Sequence, residues 1–285
     1  MIGRVIKFYN SFFFVKVEKK IIPCKLRGII KRDKKIGNKI FPGDFVEISI
    51  LKDNSGIIEK ILPRKSLLNR PAVANVDRVV LTFAAKSPNL NRLLLNKFIT
   101  LAEFSNLAEI IICINKIDLI DDAENFLSEY ENLYKIVRVS AEKNIGIEKL
   151  KNILSKDATV FAGPSGVGKS SLMNKIIPNL NLKTGSVSEK ILRGKHTTRI
   201  SELLEFGEGF VVDTPGFSAV DLNFEKNILR NYFKEFANFA QNCKFLNSCT
   251  HTHEPNCSVK NAVETGKILR ERYENYLNIF EELGK

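Results

Sequence analysis

The residues with the most pointed chemistry run from Gly163 to Ser171, reading Gly163-Pro164-Ser165-Gly166-Val167-Gly168-Lys169-Ser170-Ser171. Glycines at this spacing let successive backbone N–H groups curl around an anion. The lysine that follows reaches β- and γ-phosphates, and the next hydroxyl, Ser170, holds Mg²⁺. A helix starting near Lys169 points its positive end at the same anion. The chemistry is that of a phosphate loop holding a nucleoside triphosphate with its Mg²⁺.

A second group reads the base. Asn115, Lys116 and Asp118 stand directly after the apolar run 110–114. The Asp118 carboxylate suits the paired N–H donors of guanine. Adenine offers no such pair and leaves the carboxylate unsatisfied, which discriminates better than shape. The stem of Lys116 covers the base, and Asn115 ties this loop to its neighbours. Ser140 and Ala141, after the next apolar run, offer a backbone N–H to guanine O6. GTP and GDP are therefore the expected nucleotides.

Asp213 and Gly216 frame Asp213-Thr214-Pro215-Gly216 after the apolar run 210–212. They fit a D-x-x-G element in which Asp213 reaches Mg²⁺ through water and the Gly216 N–H meets the γ-phosphate. Between the two loops lies Gly194-Lys195-His196-Thr197-Thr198-Arg199. Thr198, or alternatively Thr197, closes over Mg²⁺. The place just after D-x-x-G, where many small GTPases carry a water-positioning glutamine, holds Phe217. His196 is the candidate catalytic residue in its stead, with Arg193 and Arg199 as further cations nearby. If nothing orients the water, the alternative is an RNA-binding protein using GTP as a static ligand.

A third group is metallic in character. Cys243, Cys249, His251 and Cys257 form a Cys₃His set suited to one structural Zn²⁺ per chain. His253 is the substitute for His251.

These groups need elements to hold them. The chain has 285 residues and 44% hydrophobic content, which excludes disorder and leaves room for more than one domain. Residues 1–68 carry short β-type runs split by turn residues, which fits a five-stranded OB-type barrel. Strands are expected at 2–9, 12–17, 25–30, 45–51 and 57–62. Residues 69–220 alternate strand and helix, which fits a mostly parallel sheet. Strands are expected at 76–83, 110–114, 135–139, 158–161 and 210–212. Helices are expected at 89–104, 121–133, 147–154 and 170–177. Residues 221–285 read as helical around the Cys/His cluster, with one long helix at 262–283. The expectation is three domains: a barrel at 1–68, an α/β P-loop domain at 69–220 and a small helical zinc-binding domain at 221–285.

Net charge is uneven. Residues 1–68 hold 16 Lys/Arg against 6 Asp/Glu, and the remaining residues hold 28 against 26. The polyanion-binding signal belongs to the first quarter, including the basic stretch 31–39. No run approaches the length of a membrane span, and a reducing, cytoplasmic setting is expected from unpaired cysteines clustered with histidine.

The order of the nucleotide motifs along the chain is unusual. Base-reading elements at 115–118 and 140–141 precede the phosphate loop, and D-x-x-G follows it. The usual order is rotated, as in a circular permutation. With the stretch 69–77, the motifs at 115–118, 163–171, 196–198 and 213–216, and the Cys/His cluster in this order, the chain resembles the circularly permuted, ribosome-small-subunit-dependent GTPase A family over nearly its whole length. The resemblance implies a GTPase acting as a late maturation factor of the small (30S) ribosomal subunit, weakly active alone and stimulated by the subunit. It implies rRNA contact, a monomer and the same four metal ligands. One departure is a spacing of five residues between Cys243 and Cys249 where the family usually has four.

Overall fold

The computed structural model of the chain describes residues 1–27, 40–69, 72–177, 180, 182, 202–213 and 220–284. The backbones of 69 and 213 are described without their side chains. The basic stretch at 31–39 and the motif positions His196, Thr197, Thr198 and Gly216, with Arg193, Arg199 and Phe217, lie outside the described residues.

Five strands close into a barrel: β1 Ile2–Tyr9, β2 Phe12–Val17, β3 Lys20–Leu26, β4 Phe45–Ile50 and β5 Gly56–Ile61. Their order is β1-β2-β3-β5-β4, with β4 returning to β1 and only β3–β5 parallel. Alternation puts Val5, Val15, Ile22, Cys24, Val46, Ile48 and Ile58 inside. Burial pushes the Cys24 thiol up to about 11, so it packs as a small hydrophobe. The third strand begins at Lys20 and not at 25. Its alternation at Ile22 and Cys24 is interrupted in sequence by Pro23, a residue that ordinarily argues against a strand.

A short ribbon, β6 Leu67–Asn69 with β7 Ala72–Ala74, leads into a six-stranded sheet. Its strands are β8 Arg78–Ala84, β9 Glu109–Asn115, β10 Lys135–Arg138, β11 Ala158–Ala162, β12 Glu202–Phe206 and β13 Gly209–Asp213. The order is β10-β9-β8-β11-β13-β12, parallel except for the β12–β13 hairpin. Continuous apolar strands mark a sheet covered on both faces. Helix α1 (Arg92–Phe104) covers one face through Leu95, Phe98 and Ile99. Helices α2 (Ile147–Leu154) and α3 (Lys169–Ile176) cover the other.

Two helix expectations fail here for local reasons. Residues 121–133 form turns and one 3₁₀ turn, Ser128–Tyr130. Leu127 is left-handed at φ 64°, and the Asp122 carboxylate accepts from the Asn125 backbone and side chain. The Arg138 guanidinium takes the Phe126 carbonyl at 2.8 Å, so that acceptor is lost to a helix. The long helix expected over 262–283 is two helices, α5 (Ser258–Glu264) and α6 (Arg270–Glu282). They are broken at Thr265-Gly266-Lys267, where Gly266 has φ 71°.

The C-terminal region begins with the 3₁₀ stretch Lys226–Tyr232 and the single turn α4 (Ala237–Ala240). Its core is aromatic, with Phe233, Phe236 and Tyr276 stacked edge to face beside Ile279. This region has more core of its own than the sequence suggests. It is joined to the sheet by Arg272, which is 2% exposed. The guanidinium donates to the Glu235 carboxylate and to Asn96 of α1. A buried cation is tolerable only with such partners.

Candidate functional site

The sheet gathers its nucleotide motifs at the carboxyl ends of adjacent strands, the crevice where open α/β sheets bind ligands. Strand β11 delivers the phosphate loop and lies between β8 and β13. Strand β9 delivers Asn115, Lys116 and Asp118. Strand β10 leads to Ser140 and Ala141. Strand β13 ends at Asp213, with the Asp213 backbone opposite Glu202 of β12.

Gly163 and Gly168 are required as glycine. Both have positive φ, 141° and 93°. A Cβ on Gly163 collides with the Thr82 carbonyl of β8, and a Cβ on Gly168 collides with the Asn115 amide. The loop therefore lies directly against two neighbouring strand ends. Pro164 is half-buried, Ser165 and Gly166 are exposed, and Val167 is buried. Ser170 and Ser171 sit half-buried in the first turn of α3.

Asn115 is the joint of the site. It is 2% exposed. Its amide nitrogen donates to the Val167 carbonyl at 2.9 Å, and its oxygen accepts from the Ala141 N–H at 3.1 Å. One side chain thus locks the phosphate loop and the 140–141 loop to the N-K-x-D strand. Lys116 is left-handed at φ 60° and spans from the Gly166 carbonyl (2.9 Å) to the Ser87 carbonyl. The role of Ser87 carries no sequence signal, because a backbone carbonyl has none. Asp118, in the turn Ile117–Leu119, is exposed. Ser140 is buried, and its hydroxyl accepts from the Lys143 N–H at 3.0 Å, which shapes the loop carrying Ala141.

Lys169 folds back onto its own loop, donating to the Gly163 and Pro164 carbonyls at 2.7 and 2.6 Å. Burial brings its ammonium down to about 8. A half-buried cation held by backbone carbonyls has a strong electrostatic demand for phosphate.

The four metal-type residues also converge. Cys243, Cys249, His251 and Cys257 are all buried, with one ligand atom from each within 4.8 Å of the others. Cys243 Sγ lies 3.8 Å from Cys257 Sγ, and His251 Nδ1 lies 3.6 and 3.3 Å from those sulfurs. Tetrahedral bonds of about 2.3 Å to sulfur and about 2.0 Å to nitrogen imply edges of about 3.8 and about 3.5 Å. The donor set fits a tetrahedral metal, and Cys243 joins it across the five intervening residues, which turn at Leu246–Ser248 before Cys249. His253 is exposed and pairs with Thr252, so it is not part of the set. Burial pushes the Cys249 thiol up to about 12 and brings His251 down to about 4.

The loop carrying these ligands is held from three sides. Arg230 donates to the carbonyls of Leu246, Asn247 and Cys249. The Glu254 carboxylate accepts from the Thr250 N–H (2.6 Å), the Thr250 hydroxyl (2.7 Å) and the Thr252 N–H (2.9 Å). The Tyr273 and Tyr276 hydroxyls donate to the carbonyls of His251 and Thr250. Outer groups of this kind fix the orientation of metal ligands. Sequence reasoning missed them because Arg230, Tyr273 and Tyr276 are remote along the chain.

The RsgA GTPase family model matches residues 61–223, and the RsgA N-terminal domain model matches residues 2–58. The chain belongs to the RsgA GTPase family. The small ribosomal subunit biogenesis GTPase RsgA of Caldanaerobacter subterraneus subsp. tengcongensis is 46% identical over 288 residues, covering 99% of this chain and 95% of that one. The protein of the same name from Alkaliphilus metalliredigens is 44% identical, covering 99% and 98%. Among solved structures, YjeQ from Thermotoga maritima matches with a TM-score of 0.86 at 42% identity, covering 99% of this chain and 98% of that one. YloQ, described as a circularly permuted GTPase, matches with a TM-score of 0.82 at 33% identity, covering 99% and 94%. The rotated motif order is thus a property of the family fold, carried here by a sheet whose phosphate-loop strand is fourth in the chain and central in space. Among the described residues, no helix is long and apolar enough to cross a membrane.

Proposed function

We propose that this RsgA-family GTPase hydrolyses GTP as a late maturation factor of the small ribosomal subunit, with weak turnover alone and faster turnover on the subunit. It acts as a monomer in the cytoplasm, with a barrel of residues 1–68 on rRNA, a nucleotide domain of 69–220 and a metal-holding domain of 221–285. Asp118 reads guanine, with Asn115, Lys116, Ser140 and Ala141 framing the base. Gly163 to Ser171 cradle the phosphates. Ser170 and Thr198 hold Mg²⁺, Asp213 reaches it through water, and the Gly216 N–H meets the γ-phosphate. His196 orients the attacking water. Cys243, Cys249, His251 and Cys257 hold one Zn²⁺, which supplies a structural cross-link and no chemistry on GTP.

The observation that supports this reading most is the Asn115 amide, which pairs with Val167 of the phosphate loop and Ala141 of the base loop at once. That pairing makes one pocket of three motifs separated in sequence. The barrel supports the rRNA assignment through its excess of lysine and arginine and through exposed Phe8 and Tyr9 near the β1–β2 turn. The test is multiple-turnover GTP hydrolysis with and without purified small ribosomal subunits. Turnover should rise clearly when subunits are added. Equal turnover in both samples contradicts the proposal.

A further inference from the structure

The barrel meets the sheet at the β12–β13 hairpin, and the contact is electrostatic on its exposed side. Lys7 of β1 donates to the Glu202 carboxylate at 2.8 Å, and Lys16 of β2 pairs with Glu205. Arg4, directly opposite Lys16 in the barrel, places its guanidinium 5.0 Å from the centre of the Phe210 ring, and the Lys16 ammonium lies 5.6 Å from the same ring. Beneath these charges, Ile6 shares a buried cluster with Leu203 and Val212. The lysine side chains keep 35% and 22% of their surface, and their carboxylate partners keep 39% and 50%.

The hairpin sits at a sensitive place. Its turn is pinned to the sheet floor, where Glu208 and Phe210 donate to the Ser155 and Asp157 carbonyls at 2.8 Å. Its open end carries Asp213, and the residue facing Asp213 across the hairpin is Glu202. The Lys7–Glu202 pair therefore grips the residue paired with the D-x-x-G aspartate.

We propose that Lys7 and Lys16 are shared cations, held by Glu202 and Glu205 in the free protein and transferred to RNA phosphates when the barrel docks. The inference rests on the rRNA reading above and names how docking is communicated to the nucleotide site. Half-exposed ion pairs are each worth up to about fivefold in an equilibrium, weak enough for a phosphate to compete. Each exchange leaves a hairpin carboxylate free and unneutralised. The hairpin loses its charge tether to the barrel while the apolar contact through Ile6 stays. An RNA contact at the barrel is thus felt one cross-strand pair from Asp213.

The test measures binding of purified small ribosomal subunits to the full chain over a salt series, with GDP or a non-hydrolysable GTP analogue. Three proteins are compared: the wild type, the pair Glu202→Gln and Glu205→Gln, and the pair Lys7→Gln and Lys16→Gln. Removing the carboxylates should tighten binding by about two- to thirtyfold, since RNA no longer competes with them. It should also shrink the difference in affinity between the two nucleotide states, because coupling between sites is reciprocal. Removing the lysines should weaken binding and flatten the salt dependence by one to two phosphate contacts. Carboxylate variants that bind no tighter, or that keep the full nucleotide difference, overturn the proposal. A wild type that fails to bind subunits at all contradicts the rRNA reading itself.

Discussion

The nucleotide pocket and the metal cluster are built on opposite principles. The pocket is made of backbone groups and glycines around the buried Asn115, with Asp118 exposed, and Lys169 rests on its own loop carbonyls. The cluster is made of four buried ligands, with their loop clamped by Arg230, Glu254, Tyr273 and Tyr276. A pocket whose groups can re-pair in the absence of ligand suits repeated loading and release. A cluster that buries three thiols and an imidazole nitrogen within 4.8 Å of one another, with the Cys249 thiol held in its protonated form by burial, suits a resident metal better than an exchangeable ligand. One chain thus separates a site suited to an exchangeable ligand from a cluster suited to a resident ion by how much buried structure commits to each.

The largest break of this contrast is metal removal. Chelation, or Cys249→Ser, should unfold the region after residue 221 at a cost of about 5 kcal/mol or more, read as loss of its aromatic near-ultraviolet signal. GTP binding by the sheet should persist, because the two sites share no ligand. Loss of both functions together would erase the distinction.

Next in size is Gly168→Ala. The added methyl strains a left-handed position and strikes the Asn115 amide, which links three loops. GTP affinity should fall by about 2–3 kcal/mol in calorimetry, with metal content unchanged.

How much of this was legible in sequence differs between the same two regions. The pocket motifs could be read because phosphate and guanine chemistry demand fixed residue types at short spacing, as at Gly163–Ser170 and Asn115–Asp118. The convergence of Cys243, Cys249, His251 and Cys257 could be read for the same reason, but not the groups that hold their loop. Arg230 reaches Cys249 through folding alone. Barrel closure, the sheet and its order of motifs followed from alternation and apolar runs. What alternation could not give were β12, whose carboxylates face the barrel, and the turns at 121–133, where polar side chains outcompete a helix. Glu202, Lys7 and Lys16 were merely charged residues until the fold brought them together.

Acidity separates the regions with a smaller effect. Lys169 titrates near 8 in the nucleotide-free protein, and a bound phosphate raises it, so binding takes up a proton above that pH. GTP affinity should therefore fall as pH rises past about 8, by at most tenfold per unit. Metal affinity should move the other way, rising with pH as buried thiols lose protons to the ion. Parallel trends in the two titrations would show that Lys169 is not the group meeting the phosphate.

The central claim joins base reading, hydrolysis and the ribosomal partner. It is tested most directly by Asp118→Asn, assayed for multiple-turnover hydrolysis of GTP and of xanthosine triphosphate with purified small subunits present. On the proposed reading, the amide can donate to the xanthine C2 carbonyl in the place where the carboxylate accepts from guanine. The account predicts that the variant loses subunit-stimulated GTP hydrolysis and gains it with xanthosine triphosphate. A variant still stimulated with GTP, and indifferent to xanthosine triphosphate, would contradict it.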